Sequence, residues 1–305
     1  MKKIFGISFI EFLFFCKVFY GQSEVFNNST DSNNYQSVHF LVNVLADDSM
    51  GGRYAGSVYE LKTIDFIKKY FQNSVDKNYI FNTDTFTYCC RNDSIVTAHN
   101  ISIWPKKSTK KIIILAAHYD HLSPGSMYSK EIWDKNKIHP GADDNASGVA
   151  MAITLFRYFG KNVDNLNYDF ALLLFSGHEE GLQGSKNWIE KNFKPSDNIV
   201  LMLNFDMVGR FSDETNLVSV KIDEKNKIIE QLTHSALQSG VKLSFNSNKF
   251  IDTDSYIFYK QKILAFTLST GIHSDYHRIS DTPDKINYVG MTKIMEFIKL
   301  FLKNY

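Results

Sequence analysis

Six consecutive apolar residues, Ile112 through Ala117, run directly into a histidine at position 118. The run is too short for an ordinary helix and opens on β-branched residues. It therefore reads as a central strand over Lys111 to Ala117, covered on both faces. A strand of that kind needs helical layers above and below it. Runs of the same character recur at Tyr168 to Phe175, Ile199 to Asn204 and Ile263 to Thr267. Between them lie helical patterns over Ala146 to Tyr158, Gly181 to Asn192 and Asn226 to Gln238. Tyr288 to Leu302 closes the chain as a helix that turns Met291, Ile294, Met295, Ile298 and Leu302 inward. Upstream, Val38 to Leu45 reads as a short helix. Val58, Leu61, Ile64, Ile67 and Phe71 recur at helical spacing, and Tyr79 to Thr87 and Ser94 to Trp104 read as extended. The expected fold is α/β, a three-layer α/β/α sandwich with a mixed, mainly parallel central sheet. With no internal repeat or composition break, residues 37–305 are expected to form one domain.

The N-terminus differs from the rest. Met1-Lys2-Lys3 precedes an apolar, aromatic stretch from Ile4 to Tyr20, interrupted by Glu11 and Lys17. A basic start followed by an apolar run has the form of a secretory signal peptide, expected over 1–21 with Gly21 at the boundary. A polar, asparagine-rich lead-in over 22–36 follows. The expected location is secreted or periplasmic, with a retained N-terminal anchor as the alternative. No later stretch is apolar enough to span a bilayer, so no stable membrane partner is expected. Lys and Arg number 34 against 33 acids, for a net charge of +1, which gives no electrostatic reason to expect a nucleic-acid partner. The three cysteines, Cys16, Cys89 and Cys90, form neither a disulfide framework nor a thiolate metal site.

Polar clusters gather where the apolar strands end. Ala117-His118-Tyr119-Asp120-His121 follows one, and Ser176-Gly177-His178-Glu179-Glu180-Gly181 follows another. Asn204-Phe205-Asp206-Met207-Val208-Gly209 ends a third. His273-Ser274-Asp275-Tyr276-His277 and Ser280-Asp281-Thr282-Pro283 follow the fourth. A further segment, Gly141-Ala142-Asp143-Asp144-Asn145-Ala146-Ser147-Gly148, sets two acids among small residues just before a helix. Taken alone, it suits a helix-capping turn, and the paired glutamates suit a first helical turn. In open α/β sheets, however, sites lie at the C-terminal ends of strands. Together the clusters supply histidines, acids and a spare glutamate. That is the inventory of two metal ions joined by a shared carboxylate, with a further carboxylate free to move a proton. Zinc fits this oxygen- and nitrogen-rich set, as do manganese and cobalt.

These segments, in this order from about Leu41 onward, resemble the M28 family of zinc aminopeptidases. The matching elements are the Arg53 region, His118-Tyr-Asp-His121, Gly141 to Gly148, Gly177-His-Glu-Glu-Gly-Leu-Gln-Gly-Ser185, Asn204 to Gly209 and Tyr276-His277 with Asp281-Thr-Pro-Asp284. The resemblance implies two Zn2+ per chain. It implies metal ligation by His118, Asp143, Glu180, Asp206 and His277, with Asp143 shared, His118 paired with Asp206, and Glu180 paired with His277. It further implies Glu179 as general base and Asp120 as the partner that orients His118. Asp144 is expected to support the turn, Asp281 to stand behind the ligands, and His121 and His178 to line or support the site. His273 resembles a ligand less closely than His277. Tyr256 and Phe258, in a segment that resembles a pocket-lining loop, are candidates for the substrate pocket.

The implied activity is hydrolysis of the N-terminal peptide bond of peptides or proteins. Glutaminyl cyclase shares the expected fold and is the nearest alternative. A carboxypeptidase or dipeptidase, and a non-catalytic binding ectodomain, are the others.

Overall fold

A computed structural model describes residues 29–305, except 73–77, 91–93, 162–165, 195–196, 224 and 249. The expected signal segment 1–21 lies outside the described residues. The first element is a helix, α1 (Ser29–Leu45), which starts well ahead of Val38. Part of the expected lead-in is therefore helical. Ser37 reaches Thr154 at 2.9 Å between hydroxyl oxygens, and Asn34 is buried, so tertiary contact outweighs a polar sequence there.

The remaining helices are α2 (Val58–Gln72), α3 (Gly148–Gly160), α4 (Gln183–Asn192), α5 (Ile228–Ser239), α6 (Asp254–Tyr259) and α7 (Tyr288–Asn304). The strands are β1 (Tyr79–Cys89), β2 (Ile95–Pro105), β3 (Lys111–His118), β4 (Tyr168–Phe175), β5 (Ile199–Phe205), β6 (Leu217–Lys221), β7 (Lys242–Phe245) and β8 (Leu264–Ser269). They form one 8-stranded sheet in the order β1-β2-β4-β3-β5-β8-β6-β7. The centre, β4-β3-β5-β8, is parallel throughout. The flanks are joined to it antiparallel, through β2–β4 on one side and β8–β6 on the other.

The alternation of β3 shows why helices must cover both faces. Ile113, Leu115 and Ala117 point into one core, with residues of α1, α2, α3, α5 and α7. Ile112, Ile114 and Ala116 point into a second, with Trp188 and Ile189 of α4 and Ile257 and Phe258 of α6. A strand with a period of two and apolar residues at every position has no face left for water. The sandwich is the expected one. Among the described residues, no helix is long and apolar enough to cross a membrane. Cys89 and Cys90 are free thiols, Cys89 exposed and Cys90 packed beside Phe86, Tyr88 and Ala98.

Candidate metal centre

Because β4, β3, β5 and β8 are parallel neighbours, their C-terminal ends share one edge of the sheet. His118 ends β3, Glu179 follows β4, Asp206 follows β5 and His277 follows β8. The loop before α3 brings Asp144 to the same edge.

Two groups of donor atoms meet there. Nε2 of His118 lies 3.4 Å from Oδ1 of Asp144 and 3.7 Å from Oδ1 of Asp206. Nε2 of His277 lies 3.3 Å from Oδ2 of Asp144 and 3.1 Å from Oε2 of Glu179. Nδ1 of His121 approaches the second group, 3.2 Å from Oε1 of Glu179 and 3.8 Å from Oδ2 of Asp144. Asp144 belongs to both groups, one oxygen to each.

The other ring nitrogens are fixed. Nδ1 of His118 donates to the Asp120 carbonyl at 3.1 Å, and Nδ1 of His277 donates to the Tyr128 carbonyl at 3.0 Å. Each ring thus turns Nε2 toward the acids, the nitrogen that would offer its lone pair to a metal once its proton is displaced. Nε2 of His118, His121 and His277 and Oδ2 of Asp144 are buried and make no hydrogen bond among the described residues. Buried polar atoms left in this way are costly unless something else satisfies them. A convergent nitrogen and oxygen donor set fits a divalent ion such as zinc.

At His277, Glu179 and Asp206 neighbouring charges outweigh burial. Burial alone would lower His277, but the carboxylates of Asp144 and Glu179 outweigh it and raise the ring to about 10. Burial alone would raise Glu179, but His121 and His277 hold it well below the usual carboxylate range. Asp206 is likewise lowered against its burial, chiefly by Lys221, whose Nζ is 3.5 Å from Oδ2.

Two of the expected ligands differ from the geometry. Asp143 does not face the donor groups. Its Oδ1 accepts from the Gly209 N–H at 2.6 Å and the Ser147 hydroxyl at 2.9 Å, and its Oδ2 lies 3.1 Å from Nε2 of His273. The space around it is closed, since a Cβ on Gly209 would stand 2.7 Å from Asp143 Oδ1. Asp281 Oδ2 accepts the backbone N–H of both Asp143 (2.9 Å) and Asp144 (3.0 Å), and Asn145 ties the loop to Phe205 O at 2.9 Å and to the N–H of Met207 at 3.0 Å. This clamp turns Asp144 inward and Asp143 away.

The glutamates are displaced by one place in the same manner. Glu179 is in the second donor group, and Glu180 is in neither. A tight turn follows β4, in which Gly177 adopts φ +69 and the N–H groups of Gly181 and Leu182 both donate to the His178 carbonyl, at 2.8 and 3.0 Å. That turn carries Glu179 to the cluster.

Asp120, expected to orient His118, meets Nδ1 of that ring with its backbone carbonyl, and its carboxylate has a further task. Its carboxylate is 3.7 Å from Nδ1 of His118 and accepts the N–H groups of His178 (3.2 Å) and Glu179 (3.3 Å). It fastens the β4 turn to the end of β3. His178 stacks on His118, with ring centroids 3.8 Å apart and planes 7° from parallel, and its Nδ1 lies 2.8 Å from Oδ2 of Asp254.

Arg53, which the sequence marked only as part of a motif, is fully buried. It donates to the carbonyls of Leu45 (2.6 Å), Pro140 (2.7 Å), Tyr119 (2.9 Å) and Gly141 (3.0 Å). It joins α1, the end of β3 and the Asp144 loop. Burial lowers its pKa to about 10 despite the surrounding acids. A lone arginine near Gly51 and Gly52 carries no signal of such a role in the sequence.

The pocket candidates separate. Phe258 is fully buried in the second core, against Trp188 at 5.5 Å and Phe175 at 6.0 Å between ring centroids, so it does not line a pocket. The segment expected as a loop is the short helix α6, whose inner face carries that ring. Tyr256 is half-buried and packs edge-on to Phe250, 5.5 Å away. The long segment 121–140 walls the site instead, for the Lys130 N–H donates to the His277 carbonyl at 3.0 Å and Tyr128 holds the His277 ring.

A model of peptidase family M28 matches residues 100–302. Over 75 residues the chain is 39% identical to a probable zinc metalloprotease of Pyrenophora teres f. teres (strain 0-1), a stretch that is 25% of this chain and 16% of that protein. It is 25% identical over 229 residues to YfbL, an uncharacterised protein of Escherichia coli (strain K12), covering 63% of this chain and 67% of that one. The chain spans about a sixth of the length of the fungal relatives it matches, 16% and 17%. Among solved structures, Porphyromonas gingivalis glutaminyl cyclase is similar with a TM-score of 0.74 at 16% identity, covering 88% of this chain and 98% of that one. A leucine aminopeptidase precursor from Bacteroides thetaiotaomicron VPI-5482 is similar with a TM-score of 0.73 at 15% identity, covering 89% and 97%. These two likenesses establish the shared fold. With the family match spanning most of the sheet and every donor residue, the chain belongs to peptidase family M28.

Proposed function

We propose that the chain is a zinc-dependent exopeptidase that hydrolyses the N-terminal peptide bond of peptides and proteins. The observation that carries this reading is Asp144, which offers one oxygen to the His118–Asp206 group and the other to the Glu179–His277 group. Two zinc ions suit the arrangement, the first held by His118, Asp144 and Asp206, the second by Asp144, Glu179 and His277. Such a pair, when bound, supplies Lewis acidity that activates water and polarises a carbonyl. The chain's own residues do the rest. Asp120 and the carbonyls of Asp120 and Tyr128 fix the ligand orientations, and the 121–140 segment holds His277 through Tyr128 and Lys130. Lys221 holds the outer oxygen of Asp206. The basic, apolar leader supports export to the periplasm or beyond.

The test pairs metal analysis with turnover of aminoacyl-nitroanilides across a panel of N-terminal residues, before and after chelation and zinc return. The expected result is close to two zinc ions per chain, with amino-acid release lost on chelation and restored by zinc. Ammonia release from glutaminyl peptides without amino-acid release would overturn the peptidase reading in favour of cyclisation. Activity that is indifferent to chelation would overturn the metal reading.

A further inference from the structure

With Glu179 drawn into the donor groups, the residue that moves the proton must be found elsewhere. Both Glu179 oxygens are engaged, Oε1 by His121 at 3.2 Å and Oε2 by His277 at 3.1 Å. Glu180 stands outside both groups. His178, the residue before them, occupies a different kind of place. Its ring lies flat on that of His118, at 3.8 Å, and so beside the first donor group. Its backbone is held by Asp120 through the 3.2 Å hydrogen bond to the His178 N–H. Its Nδ1 donates to Asp254 at 2.8 Å. Asp254 is completely buried, and its second oxygen, Oδ1, has no hydrogen-bond partner among the described residues. A buried carboxylate on Nδ1 fixes the tautomer, so Nε2 carries the lone pair. The ring is not fully buried, with 15% of its side-chain surface exposed.

We propose that His178, oriented by Asp254, carries the proton between the attacking water and the departing amine. The assignment rests on the hydrolase reading above. In the first half, an O–H bond of water breaks, its proton goes to Nε2 of His178, and the oxygen bonds to the scissile carbonyl carbon. In the second, the C–N bond breaks and the Nε2 proton passes to the amine nitrogen. The ring ends as it began, and one water is consumed for one acid and one amine released. His178 is thus a catalytic residue, and Asp254 positions it.

The experiment compares H178A, H178Q and D254N with the wild-type chain, all loaded with zinc. Metal per chain, kcat and KM are measured on the best substrate of the panel, with and without added imidazole. H178A is expected to keep its metal and a near-normal KM, to lose at least about 100-fold in kcat, the scale of general acid–base catalysis, and to be partly restored by imidazole. D254N is expected to lower kcat by about tenfold or more with KM little changed. Wild-type-like kcat in H178A would overturn the assignment, as would a loss that tracks metal content and is not rescued. Where H178A fails to fold, H178Q, which fills the space against His118, takes its place. A low kcat at full metal content then supports the assignment, and a wild-type-like kcat overturns it. A wild-type chain that takes up zinc but turns over no peptide would instead sink the hydrolase reading, and this assignment with it.

Discussion

Oδ2 of Asp143 lies 3.1 Å from Nε2 of His273, and Asp143 joins neither of the donor groups that share Asp144. Two adjacent acids therefore have opposite duties. Asp144→Asn is expected to lower zinc content at both groups, because one side chain serves each. Asp143→Asn is expected to keep zinc content and to lose stability by about 1–3 kcal/mol, the scale of disturbing buried hydrogen bonds. Elemental analysis beside thermal melts separates them. Equal zinc loss in both variants would contradict the geometry.

The glutamates give a parallel contrast. Glu179→Gln is expected to weaken zinc at the second group and to abolish turnover. Glu180→Gln is expected to leave zinc content as it was, with turnover within about twofold, the range of a substitution that spares the site. Retained zinc with lost turnover in Glu179→Gln would return Glu179 to a purely proton-moving role.

Arg53 donates to four carbonyls in a closed interior, of which that of Gly141 also accepts the Ala146 N–H at 3.1 Å. Arg53→Met is expected to cost at least about 3 kcal/mol, since each abandoned buried acceptor carries a penalty of roughly 1–3 kcal/mol. Denaturant unfolding measures it, and a change below about 1 kcal/mol, the value of a single ordinary hydrogen bond, would contradict the role.

Phe258 is a core ring and not a specificity residue. Phe258→Ala is expected to destabilise by about 3–5 kcal/mol, with KM unchanged in whatever folded protein remains. A selective change in substrate preference at full stability would restore it to the pocket.

Proton competition sets the pH dependence of metal uptake. The carboxylates of Asp144 and Glu179 raise His277 to about 10, so at neutral pH its Nε2 holds a proton that a metal must displace. Affinity should therefore rise with pH through the neutral range and fall on acidification, by about tenfold per unit for each proton displaced. Zinc titrations at several pH values, with proton release followed in weak buffer, check the sign. A flat profile would show that the ring enters the complex already deprotonated.

The central strands were readable because burial on both faces leaves a continuous apolar run, as at Ile112 to Ala117. Strands β6 and β7 were not, since each is short, lies toward the sheet edge, and alternates between more and less exposed residues. The choice between Asp143 and Asp144 was beyond local reading. Their chemistry is the same, and what separates them arrives from Asp281, Gly209 and His273, far along the chain. Glu179 and Glu180 are separated by a turn whose geometry depends on Gly177 and on the distant Asp120. The start of α1 at Ser29 was hidden by a polar sequence that tertiary contacts recruit into a helix.

The strand order sets a schedule for assembly. Among the described residues β6 pairs only with β7 and β8, and β8, which follows both in the chain, sits between β5 and β6. Until β8 is inserted, the β6–β7 ribbon is unattached to the sheet and His277 has not reached Asp144. Closing so many residues into contact is slow and costs entropy before it is rewarded. The donor cluster is thus whole only once β8 has taken its place and brought the segment that carries His277 to Asp144, so metal uptake would report that this part of the sheet is complete.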